Sequence, residues 1–139
     1  MKKTDIQIAK ALLGKEGIVF IIVNGGEILF ASSKKGIQPF FDAFEQQKTE
    51  EYNGCSIADH IIGKAALMLA AYLGAKHVYT PLASQHAIDT AFNLTLEFEA
   101  DKIVPYIINR TQDGMCPMEK TVLNILDPEE AFKTLKNKL

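Results

Sequence analysis

The chain has 139 residues, 47% of them hydrophobic and 23% charged, with a formal net charge of -2. That length and composition exclude a disordered tail or a fibrous repeat, and predict one domain over residues 1–139 whose core needs neither metal nor disulfide staples. Fifteen Lys and Arg against seventeen Asp and Glu, with no long run of either sign, leave no basic face for a nucleic-acid backbone.

Ile6, Ala9, Leu12 and Leu13 recur at helical spacing between the capping residues Thr4 and Asp5 and the stop at Gly14. Residues 17–23 form an apolar, β-branched run, and Asn24-Gly25-Gly26 joins it to residues 27–31, which predicts a hairpin whose first strand is buried on both faces. Pro39, Phe40, Phe41 and Phe44 mark a short amphipathic helix, followed by an exposed loop over residues 45–53. Residues 56–73 read as one long buried helix closed by Gly74. A short strand over residues 77–80, a helix over 84–92 and a half-exposed strand over 94–99 follow. Residues 103–108 fit a short helix or an edge strand, with the helix favoured. Residues 111–114 form a turn, Pro117 opens a helix through Leu126, and Asp127-Pro128 opens the last. This order describes an α/β protein with helices on both faces of a sheet.

Two cysteines, Cys55 and Cys116, are too few for a disulfide framework, so a reducing, cytoplasmic setting is expected. Asp5 and Gln7 interrupt the apolar pattern a signal peptide needs. The longest apolar stretch, residues 65–75, is far short of the ~20 residues of a membrane span, and no membrane partner is expected. His60, His77 and His86 show no metal-ligand spacing and read as ordinary histidines, and the glycines form no dinucleotide or triphosphate cradle. No metal and no cofactor are expected.

Cys55, Ser56 and Asp59 precede the predicted buried helix, where free backbone amides and the helix dipole favour an anion or a thiolate. Ser56 and Asp59 equally fit a capping box, and both readings stay open. Cys116 and Glu119 repeat the theme at a second predicted helix start. Lys64, alone in an apolar stretch, must snorkel, pair with a carboxylate or serve a ligand. Asn109 and Arg110 stand before a turn, where the guanidinium is either solvated or set on a carboxylate or phosphate.

Three segments in order, Gly54-Cys-Ser-Ile-Ala-Asp-His-Ile-Ile-Gly-Lys-Ala-Ala66, Val104-Pro-Tyr-Ile-Ile-Asn-Arg110 and Cys116-Pro-Met-Glu119, resemble the small bacterial family of domain of unknown function 1893. The resemblance implies a fold similar to cytidine deaminase, a three-layer α/β/α sandwich with a mixed sheet of four to five strands. Zinc deaminases set His-or-Cys-x-Glu at one helix start and Pro-Cys-x-x-Cys at the next. Here residues 55–57 lack the glutamate and residues 80–87 carry no cysteine, so zinc-dependent deamination is not expected.

The leading expectation is therefore a nucleotide-like or phosphorylated metabolite bound in a cleft at helix starts. Its lining would come from Cys55, Ser56, Lys64, Asn109, Arg110 and Cys116, with Cys55 as nucleophile and Asp59 or Glu119 as acid–base groups in any reaction. The alternative is a non-catalytic accessory or regulatory scaffold acting through protein contacts. A redox pair of Cys55 and Cys116 would need Cα atoms within ~7 Å. The stripe of Phe40, Phe41 and Phe44 either covers the core or supplies a homodimer interface.

Overall fold

The computed structural model describes residues 3–46, 49–109, 111–112 and 114–139, with only the backbone at Thr49. Helix α1 (Asp5–Leu12) starts in a reciprocal cap: Gln7 N–H donates to Thr4 Oγ1 at 3.3 Å and Thr4 N–H donates to Gln7 Oε1 at 2.9 Å. The hairpin of β1 (Phe20–Asn24) and β2 (Glu27–Ser32) turns through Gly25 and Gly26, both at positive φ (60° and 80°), as a two-residue hairpin turn requires. The Asp5 carboxylate accepts from both turn amides, at 3.0 and 2.8 Å, and so ties α1 to the hairpin.

Alternation along β1 assigns the two faces of the sheet. Phe20 and Ile22 pack with the larger cluster, whereas Ile21 and Val23 pack with Ala9 and the other apolar residues of α1. In α2 (Gln38–Glu45), Phe40 and Phe41 are buried, and Phe44 meets Tyr72 and Phe132 at ring distances of 5.3 and 4.8 Å. The phenylalanine stripe thus turns inward and covers the core. Within the expected exposed loop, Tyr52 is fully buried and its hydroxyl donates to the Ala43 carbonyl at 3.1 Å.

The predicted long helix over residues 56–73 is corrected by the structure. Its first part is strand, β3 (Ser56–Asp59) and β4 (Ile61–Ile62), and helix α3 (Lys64–Leu73) begins only after Gly63. Pairing decides this: β3 runs antiparallel to β1 and parallel to β5 (His77–Ser84), gaining a ladder on both edges that outweighs any helical preference of Ser-Ile-Ala-Asp. Gly74 closes α3 at φ 106°, as expected.

β5 runs straight through Pro81, where the sequence predicts its end. The proline is tolerated because the ladder is interrupted there. Tyr79 pairs with Ala58 and Leu82 with Ile61, so the residues between, Asp59 and His60, have no partner in β5. After α4 (Gln85–Asn93), capped by Ser84, β6 (Glu97–Val104) lies parallel on the other edge of β5. The short helix favoured for residues 103–108 does not form: Ile103 and Val104 finish β6, and Ile108 bridges Met115 as the chain folds back. α5 (Pro117–Thr121) is shorter than predicted, and α6 (Pro128–Lys136) starts where Asp127 accepts from Glu130 N–H at 3.1 Å.

The result is an open, mixed α/β sheet ordered β2-β1-β3-β5-β6, with β4 continuing the line of β3. Helix α1 covers one face, and α2, α3, α4 and α6 cover the other. Among the described residues no helix is long and apolar enough to cross a membrane.

Candidate functional site

Two departures from regular structure build the site: the break at His60 between β3 and β4, and the return of the chain from β6 to α5. Between them and the approach to α2 lies a cavity of about 660 Å³. Its walls are mainly apolar, from Ile61, Ala65, Ala66, Ile107, Ile108 and Met118, and its polar groups include Lys35, His60, Asn109, Cys116 and Glu119. A pocket of this size and character is ordinary for a small-molecule site.

Glu119 is 1% exposed, and each carboxylate oxygen is engaged. Lys64 N–H donates to Oε2 at 2.7 Å, Ile107 N–H donates to Oε1 at 2.8 Å, and the Ser84 hydroxyl also donates to Oε2. Gly63 supplies no side-chain cap to α3, so a carboxylate from 55 residues away satisfies the first amide of the helix and complements its dipole. The fit excludes a side chain at position 63, where a Cβ would stand 2.7 Å from Oε2. Glu119 is thus a latch joining α3, α4, α5 and the segment after β6, and it occupies the start of α3 at Lys64, eight residues beyond the start expected at Ser56.

Asp59 lies behind the cavity wall, 3% exposed, and its Oδ2 has no hydrogen-bond partner among the described residues. Burial pushes its carboxyl up from 3.8 to about 6, against the opposing pull of the His60 ring and of the His60 and Ile61 backbone amides. The His60 Nδ1 is also buried and without a partner among the described residues, 3.6 Å from Asp59 Oδ1, while the remainder of the ring is partly exposed and lines the cavity.

The other sequence candidates separate. Cys55 is fully buried before β3, not at a helix start, and burial pushes its thiol up to about 12, which removes the premise for a nucleophile there. Ser56 is buried within the sheet, opposite Val23 and His77. The Lys64 ammonium turns away to donate to the Leu123 carbonyl at 2.8 Å, and burial lowers its pKa. Asn109 and Cys116 do line the cavity, and Arg110 lies outside the described residues. Iodoacetamide under native conditions is expected to label the partly exposed Cys116 and to spare Cys55 until urea is added, as read by peptide mass mapping; equal native rates would contradict this placement.

His60 is the residue the sequence reading missed. The signal available was Ile61-Ile62-Gly63, a β-branched pair before a glycine, which reads as a strand end and helix cap rather than a helix interior. Among the described residues, no group of three or more His, Cys, Asp or Glu side chains is placed to hold a metal ion.

No curated protein matches the chain in sequence. A crystal structure of a DUF1893 family protein (TM1506) from Thermotoga maritima superposes with a TM-score of 0.86, covering 100% of this chain and 92% of that one at 24% identity, a likeness of fold. The model of that family, a domain of unknown function (DUF1893), matches residues 8–139, and the chain belongs to it.

Proposed function

We propose that the chain binds a small nucleotide-like metabolite in the cavity between the approach to α2, the start of α3 and the β6–α5 connection, without zinc deaminase chemistry. The observation that carries the reading is the cavity itself, about 660 Å³, with apolar walls and a few convergent polar groups. Kinship with the deaminase fold belongs to the same proposal, supported by the mixed sheet and by a cavity beside two helix starts. Because Glu119 already occupies the first amide of α3, a phosphate there would meet a carboxylate. The base or nucleoside therefore fills the inner cavity, and any phosphate sits outward, toward Lys35.

Calorimetric titration with cytidine, uridine, adenosine and guanosine and their 5′-monophosphates tests this. Saturable binding of at least one is expected, weakened tenfold or more by Ile108→Glu, which sets a charge on an exposed part of the apolar wall. Absence of binding at millimolar concentration, or affinity unchanged in the variant, would overturn it. A second reading, an accessory scaffold acting through protein contacts, is favoured by Phe92 and Leu126, which are 84% and 80% exposed.

A further inference from the structure

The Asp59 and His60 pair is built unlike the other buried carboxylate of the same region. Glu119 has each oxygen engaged by donors from three separate segments, as a purely structural carboxylate should. Asp59 is nearly as buried, yet one of its oxygens has no hydrogen-bond partner among the described residues, and the nearest ring nitrogen, His60 Nδ1, is in the same condition. His60 Nδ1 stands 3.6 Å from the other oxygen of the same carboxylate, Oδ1, in ion-pair range but too long for a hydrogen bond. The break opposite Pro81 interrupts the pairing with β5 at His60, whose N–H still donates to the Val19 carbonyl at 3.1 Å, and His60 lines the cavity.

We propose that Asp59 and His60 form the polar centre of the cavity: the buried carboxylate holds His60 as its Nδ1–H tautomer, and Nε2 is left as a bare acceptor for a ligand that presents an N–H or O–H from an otherwise apolar or aromatic body. The inference deepens the small-molecule reading above and rests on it. A histidine's second nitrogen is set by the hydrogen bond the first one makes, so Asp59 is a positioning residue and His60 the group that touches the ligand. Nucleobase imino, amino and ribose hydroxyl groups all meet the donor requirement. The apolar walls formed by Ile61, Ile107 and Met118 suit the remainder of such a molecule.

The test is long-range ¹H–¹⁵N correlation spectroscopy of the histidine rings in the ligand-free protein at pH 8, with His77 and His86 as internal references. His60 is expected as the Nδ1–H tautomer, and Asp59→Ala is expected to return it to the Nε2–H form that dominates in free imidazoles. Finding Nε2–H in the unaltered protein, or no change in the variant, would overturn the proposal. With whichever nucleoside of the panel binds, His60→Phe should weaken binding at least tenfold at unchanged Tm, and unchanged affinity would likewise overturn it. If no nucleoside binds, the small-molecule reading fails by that result alone, while the tautomer in the ligand-free protein still decides whether the pair is organised as proposed.

Discussion

Replacing Glu119 by alanine is expected to lower the unfolding free energy by about 3 kcal/mol, more than any exposed substitution in this chain. The variant leaves two backbone amides, those of Lys64 and Ile107, and the Ser84 hydroxyl without their acceptor. Each buried donor so orphaned costs about 1–3 kcal/mol, partly offset because the adjacent cavity admits water and a buried charge is gone. For a domain of this size the loss corresponds to a fall in Tm of roughly 10 °C. Urea unfolding should show a lower midpoint at an unchanged slope. A change below about 1 kcal/mol would mean that α3 is capped in solution by something other than this latch.

Asp59→Asn should act in the opposite direction and only above acid pH. The folded-state pKa of Asp59, about 6, lies above the usual 3.8, so between these values the folded chain holds a proton that the unfolded chain has released. Unfolding free energy therefore falls as pH rises through this window. A shift of that size corresponds to about 3 kcal/mol, fully lost above about pH 7. Asparagine stays neutral and its amide is able to meet His60 Nδ1, so the variant should be more stable than the unaltered protein at pH 8 by up to about 3 kcal/mol and equal to it near pH 3. Paired urea titrations at the two pH values check this. A variant less stable at pH 8 would show that the ionised carboxylate is a net structural asset, contrary to a side chain kept at a cost for a ligand.

The elements legible in the sequence are those governed by local chemistry. Thr4, Gly25-Gly26, Gly74, Ser84 and Asp127 act through their own backbone conformation or through amides three residues away, and each lies where its chemistry demands. The errors fall where a distant partner decides. Residues 56–59 become strand because β1 and β5 flank them and residues 61–62 because they pair with β5, Pro81 stays in its strand because the ladder breaks opposite it, and α3 is capped by Glu119 rather than by Ser56 or Asp59. The site followed the same division. Asn109, Cys116 and Glu119 do border the cavity, Asp59 stands one shell behind it, and Cys55 and Ser56 moved into the core once their helix became a strand. His60 carried no spacing signal, since its importance comes from a strand break and from the unpartnered carboxylate beside it.

The most direct measurement is a methyl-resolved NMR titration of the protein with the nucleosides and monophosphates of the panel. Occupation of the cavity requires saturable shifts at Ile61, Ile107, Ile108 and Met118, with Ile125 and Leu126, on the separate hollow beside Lys64, unmoved. Shifts confined to Ile125 and Leu126, or none at all, would contradict a ligand site at His60.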